Sequence, residues 1–191
     1  VITGAGTVAV TNLDETDAAD LSNITATTHT ANVSGSNTSF TGDLGDAALT
    51  VASGTWVVGN AATISNAASI VATGTIQGDA AILTGATITG AGTVAVTNLQ
   101  STEAANLNNI TATTHTASVS ASNTNFTGDI GDAVVTVDTG ATWTIDGGAT
   151  VNSGTAVATG TITGDAAELT TMVITGAGTV AVTNLQSTEA A

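Results

Sequence analysis

The chain has 191 residues, no lysine or arginine, and 15 acidic side chains, which give a formal net charge of −15. Because nothing in it could neutralise phosphate, a nucleic-acid partner is excluded on electrostatic grounds, and anionic membrane surfaces are disfavoured. The lack of cysteine argues against a disulfide scaffold and against cysteine-based redox or zinc chemistry. Hydrophobic residues nevertheless make up 42% of the chain, which is too many for a disordered acidic tail.

The sequence is built from an 86-residue repeat. The segment ITGAGTVAVTNLQSTEAA occupies 88–105 and 174–191, and a close variant occupies 2–19, so the starts at 2, 88 and 174 are 86 residues apart. We divide the chain into repeat 1 (1–87), repeat 2 (88–173) and the start of repeat 3 (174–191), and we expect a fragment of a longer array. No apolar run approaches the roughly 18–20 residues that would cross a membrane, so no transmembrane segment is expected.

Short runs of alternating threonine and valine predict β-strands. In GTVAVTNL at 6–13, Val8 and Val10 fall on one face of a strand and the threonines on the other. The β-branched residues suit a pleated surface, and the Gly, Asn, Asp and Ser residues that bound each run suit tight turns. Similar runs follow at 86–90, 133–137, 142–146 and 160–164.

One segment in each repeat breaks this alternation, LDETDAADL at 13–21 and LQSTEAANL at 99–107. Asn12 or Asn98 could cap a short helical turn there, so we expect a brief helix or an irregular excursion.

The first copy of this segment also carries the densest acidic run of the chain. Its second copy keeps only Glu103, so a metal site there would not recur, and we predict a solvent-exposed face instead. The residues of the run are Asp14, Glu15, Asp17 and Asp20.

Two all-β architectures fit short strands within an 86-residue period. A β-solenoid, similar to a parallel β-helix, would wind several rungs per repeat, a rung being one turn of the chain around the solenoid axis. Tandem Ig-like β-sandwiches would place one domain in each repeat, with large aromatic residues in each core and linkers between domains. Each repeat has one Trp and one Phe, and ITGAGTVAV runs through the junction without a linker. We favour the solenoid, with about four rungs and roughly 19 Å per repeat, over the alternative of tandem sandwiches.

Several motifs of this chain resemble those of very large bacterial surface proteins. ADLSNITATT (19–28), FTGDLGDAALTVASG (40–54) and VITGAGTVAVTNL (173–185) are similar to the Thr/Ala/Val/Gly-rich tandem arrays of giant adhesin-like, S-layer-like and sheath-like proteins. The resemblance covers essentially the whole chain. It implies an extracellular or cell-surface location, a structural or adhesive role and a repetitive β architecture, and it carries over no catalytic residues.

The most specific polar motif is GDLGD at 42–46, which returns as GDIGD at 128–132. It places Asp43 with Asp46, and Asp129 with Asp132, in glycine-rich turns. Calcium binds several oxygen atoms from such turns, so these four aspartates are the candidate ligands of a calcium ion, the one cofactor that the sequence suggests. The competing interpretation is ordinary turn chemistry at a corner of the solenoid.

The histidines and tryptophans each occupy one position per repeat. His29 and His115 lie a whole repeat apart, too far to share an ion, and we predict a surface or corner position for both. Trp56 and Trp143 could bind a sugar by stacking, but we favour packed residues in the widest part of a thin core. They are 87 residues apart, so one residue was inserted and another lost nearby, as loops tolerate.

The functional expectation is structural. No GxSxG motif or phosphate-binding loop is present, and we do not expect an enzyme. We expect a stiff anionic filament, sheath or surface spacer, extended by head-to-tail or lateral self-association through exposed strand edges. The alternative is an adhesin stalk or a ligand-binding module, dependent on calcium or directed at a cell-surface polysaccharide.

Overall fold

The computed structural model describes residues 1–13, 18–151 and 154–185. They form an all-β solenoid of about nine turns in which every strand pairing is parallel. The prediction of a solenoid is therefore confirmed, and tandem sandwiches are not formed. Among the described residues, none of the helices has the length and hydropathy of a membrane-spanning segment.

The strands are short and are distributed evenly along the chain. Two α-helices of four residues, α1 (Ala80–Leu83) and α2 (Ala166–Leu169), and a 3-10 helix (Leu99–Ser101) lie between them. The strands are β1 (Ile2–Val10), β2 (Ile24–Val33), β3 (Asn37–Phe40), β4 (Ala48–Val51), β5 (Thr55–Val58), β6 (Ser69–Ala72), β7 (Thr75–Asp79), β8 (Ile88–Thr97), β9 (Ile110–Val119), β10 (Asn123–Phe126), β11 (Val134–Val137), β12 (Thr142–Ile145), β13 (Thr155–Ala158), β14 (Thr161–Gly164), β15 (Val173–Thr175) and β16 (Thr179–Val182).

A typical rung has two short strands joined by a tight corner, followed by a side that contains a turn. In the rung of β4 and β5, Leu49 and Val51 point inward and Thr50 points outward, and Trp56 and Val58 then continue the buried set. The alternation that predicted strands is thus the alternation between the core and solvent. The four strands β1, β2, β4 and β6 succeed one another within repeat 1, which confirms four rungs per repeat.

The third side of each rung buries one aliphatic residue beneath a turn. In each of eight rungs, the carbonyl of this residue accepts a hydrogen bond from the backbone N–H three residues later. These residues form a stack of buried side chains along the solenoid. They are Leu21, Leu44, Ile64, Leu83, Leu107, Ile130, Val151 and Leu169.

The repeat shifts the strand pairing sideways by one side of the coil. The first half of β8 pairs with β6 and its second half with β7, so β8 spans two consecutive sides. β9 pairs with β8 along both halves, but only the second half of β9 pairs with β11. As a result β7, which follows the tight corner of its rung in repeat 1, shares a sheet with β11, which precedes the tight corner of its rung in repeat 2.

The local predictions have mixed outcomes. The GAG segments at 4–6 and 90–92 lie inside β1 and β8, where the pairing register shifts between Gly4 and Thr7 and between Gly90 and Thr93, whereas the copy at 176–178 is a bend between β15 and β16. In the first two copies the chain therefore bends without leaving the strand. The inserted residue lies in the corner between β11 and β12, which is 138–141 where repeat 1 has 52–54. Loop tolerance of the insertion is confirmed.

The predicted helical excursion is confirmed in repeat 2 as the 3-10 helix, but its cap is not. Asn98 has left-handed backbone angles (φ 53°, ψ 47°) and makes no capping hydrogen bond with its side chain. The clearer caps belong to α1 and α2, where Asp79 and Asp165 accept hydrogen bonds from backbone N–H groups of the first turn. Part of the first copy of the excursion, 14–17, lies outside the described residues.

Candidate functional site: two buried histidine–aspartate pairs

The two histidines lie inside the solenoid, so the prediction of a surface or corner position is wrong. His29 is in β2 and His115 is in β9, and each is at an inward-facing position of its strand. Only 1% of each side chain is exposed. His29 pairs in register with Val8, and His115 with Val94, so an imidazole occupies a place that the neighbouring rung fills with valine.

Each histidine binds one aspartate of the GD(L/I)GD motif. The distance from His29 Nδ1 to Asp46 Oδ1 is 3.1 Å, and that from His115 Nδ1 to Asp132 Oδ1 is 2.9 Å. Because an ionised carboxylate can only accept, Nδ1 carries the proton and donates it. The aspartate side chains are 64% and 61% exposed, so each bond joins the core to the surface.

The other ring nitrogen of each histidine has no hydrogen-bond partner. His29 Nε2 and His115 Nε2 are both buried. An unprotonated Nε2 leaves one acceptor unsatisfied, whereas a protonated one would place a charged ring with an unpaired donor in the core, which costs more. The neutral form of His115 with the proton on Nδ1 therefore fits its site, and neither Nε2 atom is positioned to act on a substrate in solvent.

The electrostatics of the second pair follow from this burial. Burial is the largest effect on the pKa of His115 and lowers it below the ordinary value of 6.5. The hydrogen bond to Asp132 and the charge of that carboxylate act in the opposite direction, but they are weaker. His115 is thus held neutral near pH 7.

The four predicted calcium ligands serve two different local purposes. Asp43 Oδ1 accepts a hydrogen bond from Gly45 N at 2.8 Å, and Asp129 Oδ1 accepts one from Gly131 N at 2.9 Å. Contacts of this kind stabilise tight turns, so they support the competing interpretation of ordinary turn chemistry. Asp46 and Asp132 are bound to the histidines instead. Within 1–13, 18–151 and 154–185, no group of three or more His, Asp or Glu side chains could hold a metal ion. Calcium binding stays a prediction.

One residue of the predicted acidic face can be placed. Asp20 forms a parallel β-bridge with Asp43, and its Oδ1 accepts hydrogen bonds from the backbone N and the side-chain Oγ of Ser22. The hydrogen bond from the Ser22 side chain is the largest effect on the pKa of Asp20, and it lowers that pKa. Asp20 is exposed, as expected of a solvated face. The other acidic residues of the run, Asp14, Glu15 and Asp17, lie outside the described residues.

The tryptophans are core residues, which confirms the favoured interpretation. Trp56 and Trp143 are fully buried, and each packs against the phenylalanine of its own repeat. The ring centroids are 5.2 Å apart for Phe40 and Trp56 and 5.5 Å apart for Phe126 and Trp143, with tilted planes. Both indole Nε1 atoms are buried without a hydrogen-bond partner. Neither ring is available to stack on a sugar.

A pair of carboxyl groups is specific to repeat 2. Glu168 in α2 has Ile82 as its counterpart in repeat 1. Its hydrogen bond with Asp165 raises the pKa of Glu168 and lowers the pKa of Asp165, so the pair shares a proton more readily than two isolated carboxyl groups would. Because it does not recur, this pair is not part of what the array repeats.

Comparison with known proteins gives no relative: protein-family models, curated proteins and solved structures were all searched, and none matches this chain. Function therefore has to be inferred from the residues and the fold.

Sequence reasoning did not foresee the histidine–aspartate pairs. A signal was present, because THTA alternates in phase with the flanking strand and puts the histidine on the same face as the alanine two residues later. Ala31 and Ala117 are both buried, so His29 and His115 had to face inward with them.

Proposed function

We propose that the chain is a structural element, a stiff anionic spacer or filament whose length is set by the number of repeats. One observation carries this proposal, namely that the parallel pairing continues through the junction between repeats. β8, the first strand of repeat 2, pairs with β6 and β7 of repeat 1 on one edge and with β9 on the other. Successive repeats therefore form a single body, as in other solenoids, and each adds four rungs.

The negative charge of the chain supports a spacer or filament that stays separate from its lateral neighbours. Every aspartate and glutamate side chain lacks a lysine or arginine counterpart, since the chain has neither. Solenoids of this charge repel one another laterally and stay apart until salt screens them. Together with the resemblance to bacterial surface arrays, this favours an extracellular or cell-surface location. Self-association of such arrays through unpaired strand edges stays a prediction.

The proposal is tested by measuring length against copy number. Chains with two, four and six copies of residues 88–173 are prepared and their lengths are measured by small-angle X-ray scattering and electron microscopy. With four rungs per repeat and about 4.8 Å per rung, each added copy should lengthen a rod of constant width by roughly 19 Å. A particle that widens with copy number, or a flexible chain of separate beads, would contradict the proposal.

A further inference from the structure

The first half of β9 is paired along one edge only. β8 pairs with β9 from Ile110 to Ala117, whereas β11 pairs with it from Thr116 to Val119. Residues 110–115, which we call the one-sided segment, therefore have no strand partner on the β11 side within the part of the chain that the structure describes. β11 itself is paired on both edges, with β9 and with β13. Because the one-sided segment has fewer pairings to break, it opens at a lower free energy than such a strand.

A hydrogen bond fastens the one-sided segment to the next rung at each of its ends. Before the segment begins, the backbone N–H of Leu107 donates to the carbonyl oxygen of Asp129 at 2.8 Å. At its last residue, His115 Nδ1 donates to Asp132 Oδ1 at 2.9 Å. Asp132 lies two residues before the start of β11. Losing the bond between His115 and Asp132 therefore frees the end of the segment that adjoins the doubly paired part of β9.

The same arrangement is present in repeat 1. β4 pairs with β2 only from Thr30 onward, so the first half of β2 has β1 as its strand partner. The two fastening hydrogen bonds also recur, from Leu21 to the carbonyl oxygen of Asp43 and from His29 to Asp46. The combination of a half-paired strand and a buried histidine at its end is thus a property of the repeat.

The surroundings of His115 contain little that could stabilise a positive charge. Apart from His115 itself, none of the described strands from β8 to β14 contains a titratable side chain, and the 3-10 helix beside β9 has none. The turn before β11 supplies Asp132, which binds the ring, and Asp129, which accepts a hydrogen bond from Gly131 N instead. The buried Nε2 atom has no partner. Protonation would therefore place a charge in the core that Asp132 alone offsets.

We propose that repeat 2 contains an acid-released joint, in which protonation of His115 separates its ring from Asp132 and the one-sided segment opens while the rungs on either side stay folded. In the open segment the imidazole is in water and has the ordinary pKa of 6.5, whereas burial lowers its pKa in the closed segment. The open form therefore binds a proton below about pH 6.5 before the closed form does. The equilibrium constant for opening should rise by up to about tenfold for each pH unit below that value.

This inference goes beyond the proposed function, because it concerns how the rigidity of the array changes with pH. An array would be rigid near pH 7 and would lose rigidity in acid at the one-sided segment. The contacts on which the joint depends lie within a single repeat. Failure of the joint would therefore leave the relation between length and copy number intact, and failure of the spacer would leave the joint intact.

The first experiment locates the opening by hydrogen–deuterium exchange and mass spectrometry on the full chain. Exchange is measured at pH 7.5, 6.5 and 5.5 at constant ionic strength and corrected for the intrinsic effect of pH. Protection of 109–119 should fall by up to about tenfold per pH unit below 6.5, while protection of 134–145, in β11 and β12, is retained. His115→Leu should abolish this fall, and His29→Leu, the same change in repeat 1, should leave it in place. An equal loss in both segments, or an unchanged loss in His115→Leu, would overturn the proposal.

The second experiment keeps the histidine and decides the question even if His115→Leu does not fold. The chain has no cysteine, so a single introduced thiol reports one position. Ala112→Cys places it in the one-sided segment, and Ala156→Cys places it in β13; both alanines are buried, with 4% and 0% exposed. The rate of reaction with a dipyridyl disulfide, relative to that of glutathione, should rise between pH 6.5 and 5.5 for Ala112→Cys and stay constant for Ala156→Cys. A constant rate for Ala112→Cys, or an equal rise for both, would contradict local opening.

Discussion

Lowering the pH should begin to destabilise the folded chain at pH values above those at which carboxylates titrate. In the unfolded state His115 has the ordinary pKa of 6.5, and in the folded state burial lowers that pKa. The unfolded state therefore binds more protons, and the free energy of unfolding falls as pH decreases. The stabilisation is complete above about pH 6.5 and is lost as pH falls from there towards the folded pKa.

The expected slope follows from the number of protons involved. One histidine that is protonated in the unfolded state and neutral in the folded state contributes about 1.4 kcal/mol per pH unit. The charged group that faces His115 is Asp132, whose carboxylate partly offsets the effect of burial. Its in-register neighbour on β8 is Val94 and adds no charge. The contribution of His115 therefore approaches, but does not exceed, that slope.

The assay is urea unfolding followed by tryptophan fluorescence between pH 7.5 and 5.0 at constant ionic strength. His115→Leu replaces the imidazole by an apolar side chain, and it should make the dependence of unfolding free energy on pH shallower. Asp132→Asn keeps an acceptor for Nδ1 but removes the charge, so it should extend the loss of stability to lower pH. If the slope of His115→Leu equalled that of wild type, the histidine would not be the group that titrates, and the reasoning would be refuted.

Three further predictions concern charge, packing and calcium. Added sodium chloride should raise the unfolding temperature, because the side chains bear almost only negative charge and salt screens their repulsion; a decrease would contradict this. Phe126→Ala should lower the free energy of unfolding by about 3–5 kcal/mol in urea titrations, because Phe126 is fully buried against Trp143; a loss below about 1 kcal/mol would show that the core collapses around the gap. Calcium added to a chelator-treated sample should raise the unfolding temperature more than sodium chloride of equal ionic strength if Asp43, Asp46, Asp129 and Asp132 form sites, and equal shifts would leave calcium as a screening ion only.

The fold was largely predictable, because in a solenoid the local pattern and the global architecture coincide. Successive side chains of a strand point alternately inward and outward, so the alternation with threonine already indicates that Val8 and Val10 face inward. The short intervals between turn residues indicate the length of each rung. Trp56 and Trp143 could be placed in the core, since each repeat offered only one large aromatic ring of that size and a narrow interior for it.

The candidate site was not predictable from residue type. Histidine is more often exposed than aliphatic residues are, and that preference competed with the phase of the strand around His29, which was the stronger constraint. Its partner Asp46 lies 17 residues away, nearly one rung, and no local motif connects the two. The stack of buried aliphatic residues that contains Leu44 and Ile130 was not predicted for a similar reason. Its members are separated by irregular intervals of roughly twenty residues, so no local pattern connects them.

The sideways shift of the pairing bears on what an array of such repeats can do. Because β11 lies on the second half of β9, equivalent residues of successive repeats fall on successive sides of the coil. The part of β2 that contains His29 is stacked with β4 and β6 on one side of the coil. The part of β9 that contains His115 is stacked with β7 and β11 on another side. Any outward feature that recurs once per repeat is therefore distributed around the axis and does not line up along one face. A flat adhesive surface needs recurring groups on one side, whereas a spacer that resists bending equally in all directions benefits from their rotation. The geometry thus favours the spacer over a one-sided binding array.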